Sequence, residues 1–109
     1  MDNALAHIGG LTMHEYLKNH IHEEIEGAVD YMTKALELKS KSPEMAAKFF
    51  RMSEMESEHA GCLTKMFSSL EKTSDVSDAS FSEMQKSIID DYVDSMGKIE
   101  HMKKLYWSK

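Results

Sequence analysis

The segment 42–70 carries an apolar stripe with two polar positions inside it. Reading from Met45 in alternating steps of four and three residues keeps every position on one side of a helix. Six of the eight positions are apolar, and the other two, Glu56 and His59, form an E-x-x-H motif. A buried carboxylate without a partner is costly, so the motif on a core-facing stripe needs a structural reason. The stripe consists of Met45, Phe49, Met52, Glu56, His59, Leu63, Met66 and Leu70.

A helix with the same spacing is predicted upstream, over residues 12–39. Thr12 and Glu15 form a capping-box pattern at its start. Its stripe again contains one carboxylate, Glu24, whereas Glu23 and Glu26 fall on the opposite side of the helix. Glu24 is therefore the acid that we expect to face inward. The stripe consists of Leu17, Ile21, Glu24, Ala28, Tyr31, Ala35 and Leu38.

The short connection between these two segments predicts an antiparallel hairpin. Ser42 is a good N-cap and Pro43 a good first helical residue, so the second helix is predicted over 43–70. When the chain is folded about Lys41, the three polar residues of the two stripes lie 17, 15 and 18 residues from the bend. They are therefore predicted to lie at one height in the hairpin.

The rest of the chain predicts one more helix and two irregular segments. Residues 1–11 are predicted to be a loose leader and residues 71–79 a polar connector. Ser80 and Glu83 form a second capping box, which predicts a third helix over 80–106. The predicted fold is all-α, one domain over 1–109 with a hairpin and a C-terminal helix. The inward residues of that helix are predicted to be Phe81, Met84, Ile88, Tyr92, Met96, Ile99, Met102 and Tyr106.

Charge and hydropathy argue against two classes of partner. The net charge of -6 and the lack of a basic run argue against a nucleic-acid-binding protein. No apolar run approaches the roughly 20 residues that span a bilayer, so no membrane association is expected. The single cysteine, Cys62, cannot form an internal disulfide. We interpret it as a small buried residue of a cytoplasmic protein.

The three polar stripe residues amount to half of a two-metal site. Carboxylate-bridged di-metal sites use a Glu from each of two helices and an E-x-x-H motif from each of two others. The chain supplies one of each, so we expect a homodimer, or a multiple of it, to complete a four-helix bundle. The predicted ligands are Glu24, Glu56 and His59, which would hold two iron ions per dimer. Manganese accepts the same ligands.

The run from Glu24 to Tyr31, followed by the motif Glu56-Ser-Glu-His59, resembles the ferritin-like superfamily and in particular the encapsulated ferritins. In that family a short chain carries half a ferroxidase site and completes it at a dimer interface. The resemblance implies that Glu56 bridges the metal ions and that Glu24 and His59 are terminal ligands. It also implies that Tyr31 is a phenol near the metals, and that the activity is oxidation of Fe(II) by O2.

Two features of the sequence differ from encapsulated ferritins and from complete rubrerythrin peroxidases. Residues 105–109 do not resemble the Gly/Leu-rich tail by which encapsulated ferritins dock into an encapsulin shell. The resemblance is compatible with a protein held inside an encapsulin shell, but the sequence shows no targeting tail for it. The chain also has no rubredoxin-type cysteine pair, which argues against a complete rubrerythrin peroxidase.

Some residues and functions remain open at this point. Glu23, Glu26 and His20 are candidates for a secondary site through which iron is taken up, or for a solvated polar surface. His14 and His22 are predicted to lie on the surface. The alternatives to a ferroxidase are a structural helical bundle without redox activity, including one of viral derivation, and a di-metal oxidase or peroxidase with another substrate.

Overall fold

Three helices form most of the computed structural model, which describes residues 7–8, 11–70 and 77–108. Helix α1 spans Met13–Leu38, α2 spans Pro43–Ser68 and α3 spans Asp78–Trp107. The all-α fold with a hairpin and a third helix is confirmed. No helix of the described ranges is both long enough and apolar enough to cross a membrane.

Two very short strands precede α1, in a segment for which the sequence predicts no regular structure. β1 (His7–Ile8) pairs antiparallel with β2 (Leu11–Thr12). Only two residues separate the strands in the sequence, so the pairing is local. The other leader positions, 1–6 and 9–10, and residues 71–76 of the predicted connector lie outside the described residues.

Serine and threonine caps begin the first and third helices. The Thr12 hydroxyl accepts a hydrogen bond from the Glu15 N–H at 3.1 Å and donates to the Glu15 carboxylate at 3.0 Å. α3 begins two residues before the start predicted from its sequence. The reason is that Ser77, which accepts from the Ser80 N–H at 3.1 Å, is the N-cap.

Small residues lie where α1 and α2 of the hairpin meet. Ala28 and Ser53 are completely buried. The Ser53 hydroxyl donates to the Ala28 carbonyl oxygen at 2.6 Å. A buried hydroxyl must find an acceptor, so this bond disfavours any slip of α2 along α1. Ser53 thereby helps to set the register of the hairpin.

α3 packs along one side of the hairpin and contributes to two hydrophobic clusters. Ile99 and Tyr106 belong to the cluster near the α1–α2 turn, and Ile88 belongs to the cluster at the other end. The eight residues of α3 predicted to face inward are all buried or half-buried, which confirms that face. The side of α2 that α3 covers is identified by three contacts: Tyr92 against Gly61, Lys103 with Glu54, and Tyr106 with Phe50.

His14 is buried, so the prediction that it lies on the surface is wrong. Its ring is edge-on to the rings of Phe67 and Phe81, with centroids 5.9 and 5.3 Å away. The beginning of α3 and the end of α2 therefore enclose the first turn of α1. Burial lowers the pKa of His14, because the charged imidazolium would lose its hydration.

The stripe that begins at Met45 is not covered in the single chain. Met45, Met52 and Met66 are 52%, 38% and 49% exposed. In the single chain this stripe is therefore not part of the core, because α3 covers the other side of the hairpin. Its burial by a second copy remains a prediction. Cys62, interpreted from the sequence as buried, is exposed as well. The buried positions of α2 lie one residue further on, at Ala46, Phe50, Ser53, Ala60, Thr64 and Phe67.

We call the uncovered side of the hairpin the open face. It is defined by Glu24, Tyr31, Met45, Phe49, Met52, Glu56, His59 and Met66. Apolar residues flank the polar ones along its length, so the face differs from an ordinary solvated helix surface. Such an apolar strip with a polar centre is typical of a surface that another molecule covers.

Candidate metal centre

Three side chains from α1 and α2 converge on the open face. Each of Glu24, Glu56 and His59 offers one oxygen or nitrogen atom that could bind a metal ion, and these three atoms lie within 4.8 Å of one another. His59 Nδ1 lies 3.7 Å from Glu24 Oε2 and 3.9 Å from Glu56 Oε1. The described part of the chain contains no second group of three or more histidine, cysteine or acidic side chains that converge in this way.

The local sequence explains why these side chains meet. Glu56 and His59 are three residues apart in α2, so they share one side of the helix. The antiparallel turn at 39–42 returns the chain along α1, and the Ser53 hydrogen bond to Ala28 sets the register. Glu24 lies one turn before Ala28 in α1, and it is therefore placed beside the motif.

The cluster lies at the boundary between protein and solvent. The side chains of Glu24 and Glu56 are 21% and 27% exposed, whereas that of His59 is 56% exposed. When both carboxylates are ionised, Glu24 Oε2 is buried and has no hydrogen-bond partner among the described residues. A proton on Glu56 can supply one. An unpaired buried carboxylate oxygen is costly. The position of this oxygen, next to an imidazole and a second carboxylate, is one that a cation would stabilise.

The Glu24 carboxylate strongly affects the protonation of Glu56. Hydrogen bonding to Glu24, burial and the Glu24 charge together raise the pKa of Glu56 to about 7, and the nearby His59 opposes this shift. Without a cation, the cluster therefore favours a proton on Glu56 near neutral pH. A divalent cation would replace that proton and balance the negative charge.

We expect the metal-free protein to become less stable as the pH rises from about 4.5 to about 7. The folded state binds a proton at Glu56 more tightly than the unfolded chain does, so this contribution is complete below the unfolded pKa of 4.5 and is lost as the pH passes the folded value of about 7. Solvent screening limits the loss to about 1 kcal/mol. Urea unfolding at about pH 5 and pH 8, compared with a Glu56→Gln variant, measures it. Equal pH dependence of the two proteins would contradict the expectation.

The donor set matches the preferences of iron and manganese. Carboxylate oxygens suit hard divalent cations, and an imidazole nitrogen adds the mixed oxygen and nitrogen character found in helical di-metal sites. Glu24, Glu56 and His59 could supply three ligands from one hairpin. Three such ligands correspond to one half of the ligand set of a carboxylate-bridged di-metal centre.

The other predicted site residues lie near the cluster but outside it. Tyr31 is half-buried on the open face, and its ring packs against Phe49 with centroids 6.0 Å apart. His20 Nδ1 lies 3.7 Å from a Glu23 carboxylate oxygen, and Glu26 is exposed. The roles of Tyr31 beside the metals and of His20, Glu23 and Glu26 in a secondary site remain predictions.

Two small residues that shape the site were not among the residues predicted to form it. Ser53 sets the register, and Gly27 lies directly against the Glu56 side chain. The sequence contains a signal for each. A serine within an apolar face of a helix needs a buried acceptor, and a glycine in a helix interior lowers helix stability.

The fold and the three converging side chains together define a class of protein: a helical hairpin with a candidate carboxylate–imidazole metal site. The family model described as rubrerythrin matches residues 15–105. The chain belongs to the rubrerythrin family, within the ferritin-like superfamily, and is a domain of the di-iron oxidoreductase type. No curated protein and no solved structure gives a significant match. The comparisons do not support the narrower resemblance to encapsulated ferritins.

Proposed function

We propose that the protein is a ferroxidase, which oxidises Fe(II) with O2 at a di-iron centre shared by two copies of the chain. The observation that carries the proposal is the convergence of Glu24, Glu56 and His59 on the open face, within 4.8 Å of one another. The orphaned Oε2 of Glu24 supports a cation at this place. Membership of the rubrerythrin family supports iron as that cation.

A second copy of the chain is the natural source of the missing ligands. The described part of α3 carries no E-x-x-H motif, and α3 packs on the side of the hairpin away from the cluster. The open face presents exposed Met45, Met52 and Met66 along the same line as Glu56 and His59. A two-fold axis through the cluster would bury these methionines and bring together four carboxylates and two imidazoles.

Each ligand has a separate task in this proposal. By the resemblance to ferritin-like proteins, Glu24, Glu56 and His59 would hold the iron ions, Glu24 and His59 as terminal ligands and Glu56 as the shared carboxylate. The three residues would also fix the number of ligands and leave positions open for O2. When bound, the pair of iron ions supplies the redox chemistry: two Fe(II) ions lose one electron each, and O2 takes both electrons and two protons to give hydrogen peroxide.

The geometry of a shared site favours small substrates over large ones. α3 leaves the cluster uncovered in the single chain, but a partner hairpin on the open face would enclose it between four helices. Fe(II) and O2 could reach such an interior, whereas a bulky organic substrate could not. An enclosed centre therefore favours ferroxidase activity over an oxidase with a larger substrate. Residence in a protein shell and in the cytoplasm remain predictions.

Oxygen uptake after anaerobic loading with Fe(II) tests the proposal. We expect the protein to consume about one O2 for every two Fe(II), with ferric absorbance appearing at the same rate, much faster than Fe(II) in buffer alone. A folded protein that leaves the rate of Fe(II) oxidation unchanged would contradict it. If oxidation occurs only when hydrogen peroxide is added, the protein is a peroxidase and the ferroxidase assignment is wrong.

A further inference from the structure

Gly27 lies in the interior of α1, where the backbone conformation does not require a glycine. α1 continues without a break from Met13 to Leu38, so the glycine does not end the helix or form a turn. A glycine in a helix interior costs about 1 kcal/mol relative to alanine. We therefore attribute the glycine to a lack of space for a side chain beside the helix at this position.

The space beside Gly27 is filled by the Glu56 side chain. A Cβ atom placed on residue 27 would lie 3.1 Å from Glu56 Oε2, 3.6 Å from its Cγ and 3.7 Å from its Cδ. The first of these distances is tighter than an ordinary van der Waals contact. The carboxylate of Glu56 thus rests on the bare backbone of α1, one turn after Glu24.

The other two glycines of the helices have different surroundings. At Gly61 an added Cβ would meet the Tyr92 hydroxyl of α3 at 2.8 Å, and at Gly97 it would meet nothing within 4 Å. Gly27 is the one whose added Cβ would meet a ligand of the metal cluster. Gly97 offers a matched control, because it is an exposed helix-interior glycine with open space around it.

We propose that Gly27 is a positioning residue, which lets the Glu56 carboxylate lie against α1 in the place where it can share a cation with Glu24 and His59. This inference rests on the proposed metal centre. A methyl group at residue 27 would displace the carboxylate by a few tenths of an ångström. The metal-free side chain can swing towards solvent and relieve the contact, but a carboxylate held by metal cannot. The substitution should therefore act on metal binding rather than on folding.

Anaerobic titration of Gly27→Ala and Gly97→Ala with Fe(II), using the full chain, tests the proposal. Gly27→Ala should weaken Fe(II) binding at least tenfold, in the range typical of residues that orient metal ligands. Gly97→Ala should bind Fe(II) as the wild type does, and both metal-free variants should have a melting temperature no lower than the wild type. Wild-type affinity in Gly27→Ala would overturn the proposal.

Two measurements without metal separate this proposal from the metal centre itself. A crystal structure of metal-free Gly27→Ala should show the Glu56 carboxylate moved away from α1, and an unmoved carboxylate would overturn the positioning role. In a Glu56→Ala background, Gly27→Ala should raise the melting temperature by more than it does in the wild type, because the contact is gone. Equal effects in the two backgrounds would count against it. A wild type that binds no Fe(II) would overturn the proposed function, whatever these two measurements show.

Discussion

Replacing Glu56 by alanine should abolish metal binding and leave a folded helical protein. The change removes a carboxylate from each half of the shared centre, so a dimer would lose two of its six ligands. It also removes the charge that crowds Glu24, which should make the metal-free variant at least as stable as the wild type. We expect Fe(II) affinity to fall at least 100-fold, a larger effect than that of a residue that only orients a ligand. Metal analysis after gel filtration, with circular dichroism as a check of folding, measures both properties.

Glu58→Ala is the matched control for that variant. Glu58 lies in the same E-x-x-H segment, but its side chain is 69% exposed and its carboxylate is 3.9 Å from Arg51. An exposed ion pair of this kind contributes at most about 1 kcal/mol, so its loss should change neither metal content nor fold. If Glu56→Ala retained the metal content of Glu58→Ala, Glu56 would not be a ligand and the assigned site would be wrong.

Replacing Met52 by lysine should convert the proposed dimer to a monomer. Met52 lies on the open face, one turn before Glu56 and 38% exposed in the single chain. In a two-fold dimer through this face, the new charge would be taken out of water and would lie near its symmetry mate. We expect the dimer dissociation constant to rise at least 100-fold, and iron binding to be lost with the partner. Sedimentation equilibrium with and without anaerobic Fe(II) measures the association.

Val93→Lys is the matched control for the open face. Val93 is an exposed apolar residue of α3, 59% exposed, and it lines a groove between α3 and the end of α2. This position is on the side of the hairpin that carries α3, so the added charge should leave the dimer intact. Dissociation by Val93→Lys but not by Met52→Lys would place the interface on the α3 side. A shared centre at Glu24, Glu56 and His59 would then be excluded.

The hairpin and the convergence of Glu24, Glu56 and His59 could be predicted from the sequence because their determinants are local and periodic. Pro43 begins α2, and the spacing around the turn brings Glu24 to the height of Glu56 and His59. Each of these signals depends on a helix period or on a short connection. Both are fixed by backbone geometry rather than by distant contacts.

The sequence does not identify which side of the hairpin is covered by α3 and which side is left open. Two stripes run side by side along α2, one through Met45 and Met52 and the other through Ala46 and Ser53. Hydrophobicity favours the methionine stripe as the core. The second stripe, which mixes small residues with Phe50 and Phe67, is nevertheless the buried one. Which stripe is covered depends on where α3 packs, and this is a tertiary property.

The remaining differences have the same origin in distant contacts. His14 looks like a surface residue in its own helix, but Phe67 and Phe81 enclose it from two other segments. In its own helix Gly27 is only a weak point, and its role becomes visible when the Glu56 carboxylate is placed against it. In each case the partner lies far along the chain, so a pattern read along one helix does not identify it.

Native mass spectrometry of the protein loaded with Fe(II) under anaerobic conditions tests the shared centre most directly. It counts chains and metal ions in the same particle. We expect a dimer, or a multiple of it, that carries about one iron per chain, and a return towards monomer when the iron is chelated. A monomer that retains its iron would contradict the shared centre. A well-folded protein that binds no iron would contradict the metal site itself.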